Sequence, residues 1–272
     1  MSRTATEKRA AFRSLHESGC FVLPNPWDVG SARMLQHMGF AALASTSSGF
    51  AWSNGKPDYA VERDDVLRHL TELSASVDLP VNADFESGFA NDPVEVARNV
   101  ELAIATGIAG ISIEDRDLAR GGALFDAALM VERVKAARAA IDASGTGVIL
   151  VGRTEGLLDD PSAVKSSVDR LVMLAEAGAD CLYAPGVRDH ADIAAMVRAV
   201  APRPLNVLAM SPDTSFAALR DLGVRRVSIG GSLARVAWKA TRAAAEQLLA
   251  GSFAGLTGTP SGELNGMFGD RQ

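Results

Sequence analysis

Residues 81–88, VNADFESG, and residues 110–115, GISIED, each begin as a short apolar run and end in carboxylates. Side chains two apart on a strand share a face, so we expect Asp84 and Glu86 to point the same way. The second run, as the neighbouring parallel strand, would bring Glu114 to about 5 Å from them. Three like charges at one sheet end repel each other unless a cation lies among them. These oxygen ligands predict Mg²⁺, with Mn²⁺ as the alternative, held partly through water.

Eight apolar runs alternate with helix-period segments along the chain. The runs are rich in Val, Ile, Leu, Ala and Cys, which is typical of parallel strands covered on both faces. The expected strands are Cys20–Pro24, Ala41–Ser45, Val81–Asp84, Gly110–Glu114, Val148–Gly152, Cys181–Ala184, Leu205–Ala209 and Val227–Gly230. The expected helices include Val29–Met38, Pro93–Thr106, Ala127–Ala143, Ser162–Ala177 and Phe216–Leu222.

Eight βα units predict an α/β fold, the (β/α)₈ TIM-type barrel, as a single domain over residues 1–250. A doubly wound open sheet would need a glycine-rich phosphate turn after its first strand, and residues 24–28, PNPWD, are not one. Residues 251–272 form a C-terminal tail rich in Gly, Ser, Thr and Pro, with an apolar cluster at 264–268. This tail is either a linker that ends in a docking segment or disordered.

Composition argues against several classes of partner. The net charge is −6 and no basic stripe is present, so we expect no nucleic-acid partner. The chain has no run of 18 apolar residues that is free of charged residues, so we expect no membrane span. The N-terminus lacks the apolar core of a signal peptide, so we expect no signal peptide. Cys20 and Cys181 lie in apolar runs without metal or redox spacing, which indicates buried thiols. We therefore expect a cytoplasmic protein.

Catalytic residues of such barrels lie where the strands end and the βα loops begin. Acids, an arginine, and hydroxyl and amide groups are concentrated at these positions. They are Asn25, Asp28, Ser47–Gly49, Asp84, Glu86, Glu114, Asp115, Arg153, Glu155, Tyr183, Asn206 and Gly230–Ser232. The concentration predicts an active site at one rim of the barrel.

Several of these residues fit a structural role as well. Asp28 fits either the rim or the N-cap of the following helix. Asp115 would point away from Glu114, which favours a structural role. Arg153 fits a clamp on the acids, a bidentate contact to a substrate carboxylate, or both. The four histidines (His16, His37, His69 and His190) are expected on helix surfaces, so neither a histidine metal site nor a Ser/His/Asp triad is supported.

From about Pro24 to Ser232, the chain resembles the isocitrate lyase/phosphoenolpyruvate mutase superfamily, and five segments carry the resemblance. They are PNPWD (24–28), STSSG (45–49), NADFESG (82–88), GISIED (110–115) and RTE (153–155). The resemblance implies the barrel, Mg²⁺, and 2-oxo acids or their enolates as reactants. It also implies a homo-oligomer, dimer or tetramer, in which the C-terminal segment docks on a neighbouring subunit.

By position, the resemblance implies roles for individual residues. Asp84, Glu86 and Glu114 match the acids around the metal, and Ser48 with Gly49 matches the pair that binds the substrate carboxylate and oxo group. Arg153 matches the rim arginine, and Asp58 matches an acid on the loop after the second strand. Their positions at the strand ends add Ser47 and Asn206 as candidate substrate contacts and Tyr183 as a candidate proton donor.

One segment departs from the superfamily pattern. The isocitrate and methylisocitrate lyases carry a catalytic cysteine in a Cys-Gly-His loop after the fourth strand. Residues 114–123 are instead EDRDLARGGA, with neither cysteine nor histidine, and the asparagine-bearing loop of the mutases is not evident. Because Gly121 and Gly122 supply hinge freedom, we expect Arg116–Ala123 to be a mobile gate.

The leading hypothesis is a Mg²⁺-dependent lyase that cleaves a C–C bond of a small 2-oxo acid or related hydroxy dicarboxylate. It would resemble oxaloacetate decarboxylase or methylisocitrate lyase and pass through a metal-stabilised enolate. Asp58, Arg153 and Tyr183 are its candidate catalytic residues. One alternative is a P–C bond enzyme, a phosphonopyruvate hydrolase or phosphoenolpyruvate mutase. The other is a non-catalytic barrel that binds a 2-oxo acid.

Overall fold

The computed structural model describes residues 3–269, which form the predicted α/β barrel. Eight parallel strands make one sheet in the order β1-β10-β9-β8-β7-β4-β3-β2. The barrel strands are β1 Phe21–Leu23, β2 Leu43–Ala44, β3 Val81–Asp84, β4 Gly110–Glu114, β7 Ile149–Arg153, β8 Cys181–Tyr183, β9 Leu205–Leu208 and β10 Arg226–Ser228. A backbone hydrogen bond of 3.0 Å, from Ala44 N to the Pro24 carbonyl, links the two edges.

Helices surround this sheet, and a small hairpin, β5 Arg116–Asp117 with β6 Ala123–Leu124, follows β4. The helices of the described range are α1 Ala5–Glu17, α2 Val29–His37, α3 Ser47–Ser53, α4 Arg63–Ser76, α5 Pro93–Ala105, α6 Ala127–Ser144, α7 Gly156–Asp159, α8 Val164–Glu176, α9 His190–Val200, α10 Phe216–Asp221, α11 Ser232–Leu249 and α12 Ser261–Phe268. None of these helices has the length and apolar character that a membrane crossing requires.

The strand predictions agree with the structure to within one or two residues at each end. Val81–Asp84 and Gly110–Glu114 are strands over the predicted residues, and every residue of β4 is buried, as expected for a strand covered on both faces. The strand predicted at 148–152 begins and ends one residue later, so that Arg153 closes it. Likewise, β10 begins at Arg226 rather than Val227.

The N-terminal helix α1 is not among the helices whose bounds the sequence predicts, and it covers the bottom of the barrel. Thr4 caps it in a capping box with Glu7. Arg9 donates to the carbonyl oxygen of Ile108, just before β4, and Arg13 donates to that of Gly147, before β7. These contacts place α1 at the N-terminal ends of the strands, opposite the expected site. Its apolar face is carried by few residues, among them the fully buried Phe12.

The expectation that all histidines lie on the surface was wrong for two of them. His16 is buried edge-on against Phe12 and Phe21. His69 is buried and stacks on Phe50, with 3.8 Å between ring centroids. Both lie on the inward faces of their helices. A pattern of apolar residues does not indicate this, because the imidazole is polar. Neither joins the strand-end acids.

The two segments with open predictions are ordered. Residues 116–124 form the β5–β6 hairpin around a short 3₁₀ turn, and Arg116 donates to the Gly122 carbonyl oxygen at 2.7 Å. A regular hairpin fixed in this way counts against a freely mobile gate. At the C-terminus, α12 packs on α2 of the same chain, so the tail ends in a docked helix. Cys181 is buried and Cys20 half-buried, and both are free thiols.

Candidate active site

Arg153 lies at the centre of a cluster of acids from three neighbouring strand ends. In the register of β4 and β7, Glu114 and Arg153 are directly opposite. Arg153 Nη1 lies 3.1 Å from Asp84 Oδ1 and 3.2 Å from Glu114 Oε2, and Nε contacts Glu155 Oε1. Asp84, Glu114 and Arg153 each end a strand, so the barrel itself brings them together. These contacts fit the clamp alternative for Arg153, and its contact with a substrate stays a prediction.

Glu86 joins this cluster, but not by the predicted route. The strand ends at Asp84, and Glu86 lies in a turn with a left-handed backbone, φ 48°. The argument that Asp84 and Glu86 share a strand face was therefore wrong. Backbone pairing holds the turn instead, since Glu114 N donates to the Glu86 carbonyl oxygen at 3.0 Å. The Glu86 side chain is buried beside Asp84 and Glu114, whose charges act on it.

The serine-rich segment after β2 contacts Asp84. Ser47, the first residue of α3, donates to Asp84 Oδ2 from both its backbone N and its Oγ, each at 2.9 Å. Ser48 lines the adjoining cavity. The N–H of Gly49 donates to the capping hydroxyl of Thr46, and a Cβ at position 49 would lie 2.6 Å from Thr46 Cγ2. A side chain at this position would therefore displace its neighbours, and Gly49 is not among the residues that line the cavity.

The cluster opens into a cavity of about 160 Å³ at the C-terminal ends of the strands. Its lining includes Asn25, Ser45–Ser48, Asp58, Tyr59, Asn82, Asp84, Arg153, Tyr183, Arg226, Ser228, Gly230 and Gly231. A second cavity of about 440 Å³ shares Asp58, Tyr59 and Arg153 with the first. Leu118, Gly121 and Gly122 of the hairpin segment line this outer cavity, so the segment forms a roof beside the entrance.

Asn206 does not line either cavity. It is buried inside the barrel, where its Nδ2 donates to Ser228 Oγ at 2.9 Å and its Oδ1 accepts from Arg226 Nε at 2.8 Å. It lies at the second position of the four-residue strand β9, below the rim. The assignment of Asn206 as a substrate contact does not fit this position, because the second residue of β9 lies near the N-terminal end of the strand and not at the rim.

Two predicted structural alternatives fit the contacts. Asp28 Oδ1 accepts from the N–H of Ser31 at 2.6 Å and so caps α2. Asp115 accepts from Thr154 Oγ1 and Glu155 N, and it pairs with Arg170 at 3.0 Å. These bonds orient the loop after β7 and thereby Glu155. Glu155 is one of the residues predicted at the rim, without an assigned role, whereas Tyr59, on the loop after β2, was not predicted as a site member.

The carboxylates of the cluster carry more negative charge than its arginine neutralises. Burial first, and then the charges of Asp84, Glu114 and Asp58, raise the pKa of Glu86 to about 8. Burial also raises the pKa of Glu114, although Arg153 opposes the shift. Loss of solvent around its carboxyl group and the charge of Asp84 raise the pKa of Asp58. The arrangement therefore favours protons or another cation.

Two phenols face the same cavity and remain protonated at neutral pH. Burial raises the pKa of Tyr183 to about 12, against the opposing effect of Arg153, whose guanidinium carbon lies 5.2 Å from the ring centroid. Burial and the charges of Glu114 and Glu155 raise the pKa of Tyr59. Both residues are therefore chemically able to donate a proton to a reactant in the cavity.

The family model for phosphoenolpyruvate phosphomutase matches residues 12–249. The chain belongs to this family, within the phosphoenolpyruvate mutase/isocitrate lyase superfamily. The chain is 41% identical to a Burkholderia cenocepacia protein with a proposed lyase/mutase activity. The two structures superpose with a TM-score of 0.93 over 98% of each chain. The chain is 31% identical to the oxaloacetate decarboxylase of Pseudomonas aeruginosa, covering 86% of this chain and 83% of that enzyme.

A further solved relative carries a ligand. It is an oxaloacetate acetylhydrolase in complex with its product oxalate, 26% identical to this family member. The TM-score is 0.87, over 98% of this chain and 96% of that one. The two named relatives, the decarboxylase and the acetylhydrolase, thus take their names from the same small 2-oxo dicarboxylate.

The donor set of this family member fits a hydrated divalent cation better than a directly coordinated one. Within residues 3–269, no three His, Cys, Asp or Glu side chains converge closely enough to bind a metal together. However, Glu114 Oε1 is buried without a hydrogen-bond partner among these described residues, and burial, together with the charges of Asp84 and Glu114, raises the pKa of Glu86. Oxygen ligands with unrelieved charge suit Mg²⁺, which keeps several waters. Asp84, Glu86 and Glu114 are the residues that would hold such an ion.

Proposed function

We propose that this protein is a Mg²⁺-dependent lyase that cleaves a C–C bond of a small 2-oxo acid or related hydroxy dicarboxylate. The observation that carries the proposal is the joining of Asp84, Glu114 and Arg153 at three strand ends beside a cavity of about 160 Å³. Mg²⁺, with Mn²⁺ as the alternative, would be held through Asp84, with Glu86 and Glu114 behind it. When bound, it would supply Lewis-acid stabilisation of the charge that develops on the substrate oxygen.

The residues of the chain supply the remaining requirements. Ser48 and Arg153 line the cavity, where they would bind and orient the 2-oxo acid carboxylate. Ser47 holds Asp84 in place through its two hydrogen bonds. Asp58 stands at the entrance shared by both cavities, where its raised pKa suits proton transfer.

The missing Cys-Gly-His loop fits decarboxylation better than retro-aldol cleavage. Loss of CO₂ from the carboxyl group β to the 2-oxo group breaks a C–C bond, whose electron pair forms the enolate, without prior removal of a proton, so no cysteine base is needed. The enolate that remains takes up one proton, and the neutral phenol of Tyr183 is placed to deliver it. Tyr59, on the opposite loop, is a second candidate donor.

A substrate panel tests the proposal and its alternatives. Oxaloacetate, 2-methylisocitrate, 2,3-dimethylmalate and phosphonopyruvate would each be incubated with the purified protein and Mg²⁺, with and without chelator, and release of pyruvate or another 2-oxo acid measured. Metal-dependent turnover of one of the first three supports the proposal. Turnover of phosphonopyruvate alone would show a P–C bond enzyme. Ligand stabilisation without any turnover would show a binding barrel.

We also propose that the protein is a homo-oligomer, dimer or tetramer. Helix α11 is 18 residues long, yet Ala234 is its one buried residue among those described. Trp238 is 49% exposed and Val236 is 64% exposed on the same helix, and Leu249 at its end is 91% exposed. A second copy of the chain would cover this surface, and its C-terminal segment is a candidate for docking there.

A further inference from the structure

Arg226 is an arginine in the interior of the barrel, below the acid cluster. It is 2% exposed and lines the floor of the central cavity together with Asn82 and Ser228. It opens β10, and Ser228 is two residues later, so both side chains share the inward face of the strand. Because Arg226 lines this cavity, it is within reach of a bound small molecule.

The partners of Arg226 are all neutral. Its Nε donates to Asn206 Oδ1 at 2.8 Å, and its Nη1 lies 3.4 Å from Asn82 Oδ1 and 3.5 Å from His16 Nε2. The other nitrogen of His16, Nδ1, lies 2.7 Å from the Phe12 carbonyl oxygen and so carries the hydrogen. Burial and the charge of Arg226 lower the pKa of His16 to about 3, which keeps the imidazole uncharged.

This pattern differs from that of a buried arginine with a structural role. Arg133 donates through both Nη1 and Nη2 to backbone carbonyl oxygens, those of Ser87, Ala90 and Asn91. In contrast, Arg226 Nη2 makes no hydrogen bond within the part of the chain that the structure describes. A buried cation without a carboxylate partner is unfavourable unless an anion reaches it. The cavity is the route by which one can.

We infer that Arg226 forms a second anion subsite, at the cavity floor, for the far carboxylate of a doubly charged 2-oxo acid. The inference rests on the proposed function, which places the 2-oxo acid group near Asp84 and Arg153. Asn82, which accepts from Arg226, precedes Asp84 by two residues on β3, a rise of about 6.5 Å. That rise is comparable with the span between the outermost carboxylate oxygens of an extended four-carbon diacid.

Calorimetric binding in the presence of Mg²⁺ tests this assignment. Oxalate has the length of the 2-oxo acid head alone, whereas 3,3-difluorooxaloacetate adds the far carboxylate. Replacing Arg226 by Gln should weaken binding of difluorooxaloacetate about 10- to 100-fold and change that of oxalate less than about threefold. Arg226→Lys keeps the charge but loses the planar guanidinium fork, so the ratio of the affinities for difluorooxaloacetate and oxalate should be intermediate. This variant also supplies the folded comparison if the Gln variant does not fold. Phosphonopyruvate as a third ligand shows whether a phosphonate replaces the carboxylate.

The outcomes separate the subsite from the proposed function. Loss of difluorooxaloacetate binding alone supports the subsite. Equal loss of both ligands, or no loss, overturns it while leaving the 2-oxo acid site intact. Failure of the unaltered protein to bind either ligand overturns the proposed function, and the subsite with it. Arg9→Gln is the matched control, because Arg9 also ties α1 to the barrel through the Ile104 and Ile108 carbonyl oxygens. It should leave the ratio of the two affinities unchanged.

Discussion

At the scale of single residues, Arg153 combines a visible structural role with a proposed chemical one. It contacts Asp84, Glu114 and Glu155 and also lines the cavity. Arg153→Lys keeps the charge but loses the planar fork. We expect kcat/KM to fall about 30- to 1000-fold, equivalent to roughly 2–4 kcal/mol, with a small change in melting temperature. Steady-state kinetics and thermal unfolding of the same variant measure both quantities.

The matched control for this variant is Arg170→Lys. Arg170 pairs with the buried Asp115 at 3.0 Å and lines neither of the two site cavities. It should lower the melting temperature and leave kcat/KM within about threefold. An Arg153→Lys variant that is as active as the unaltered protein would show that Arg153 only neutralises the acids.

Glu86 gives the metal-free protein a defined pH dependence. Its pKa is raised to about 8 in the folded state, so the folded state binds its proton more tightly than the unfolded chain does. Stability is therefore greatest below the unfolded pKa near 4.5 and is lost as pH rises through 8, by about 2–4 kcal/mol. Denaturant unfolding in chelator at several pH values measures the slope. Glu86→Gln should flatten it, and an unchanged slope would assign the effect to other groups.

The residues that sequence could identify are those whose position follows from strand ends. Asp84, Glu114 and Arg153 each follow an apolar run directly, and the barrel closes them into one cluster. Glu86 reaches the cluster through a left-handed turn and Tyr59 through a loop, whereas Arg226 lies below the cluster, at the first residue of β10. Those positions depend on backbone geometry and on depth within the barrel, which an apolar run does not encode.

At the scale of elements, the β5–β6 hairpin follows β4 and forms a roof over the outer cavity. Arg116 holds it through Gly122 O at 2.7 Å and through Asp159 at 3.0 Å. Arg116→Ala should loosen the hairpin, increase amide hydrogen exchange in residues 116–124 and lower kcat/KM by about tenfold, because the cavity would admit water. Mass-spectrometric hydrogen exchange with parallel kinetics measures both effects.

An exposed arginine provides the comparison for the hairpin variant. Arg98 pairs with Glu95 on the surface of α5, so Arg98→Ala should change neither hydrogen exchange in 116–124 nor kcat/KM. Unaltered exchange in the Arg116→Ala variant would mean that the hairpin is held by its backbone alone.

The helix predictions omit the bounds of α1, whose inward face depends on His16 and Lys8 as well as Phe12. Polar side chains that pack inward do not appear in an apolar pattern.

At the scale of the whole molecule, the exposed face of α11 predicts self-association. Trp238→Glu places a charge on this face, and we expect it to shift the protein to a smaller assembly in light scattering coupled to size exclusion. Leu102→Glu is the matched control, since Leu102 is an apolar residue of α5 with a similar exposure of 45%. A monomer for the unaltered protein would contradict the proposed homo-oligomer.

The central claim is that the acid cluster holds Mg²⁺ for cleavage of a 2-oxo acid. It is tested most directly by pyruvate release from oxaloacetate, measured for the unaltered protein and for Asp84→Asn at saturating Mg²⁺. We expect metal-dependent turnover by the unaltered protein, abolished by chelator, and a loss of at least about 100-fold in the variant at an unchanged fold. Full activity in Asp84→Asn, or turnover that is indifferent to chelator, would contradict the account.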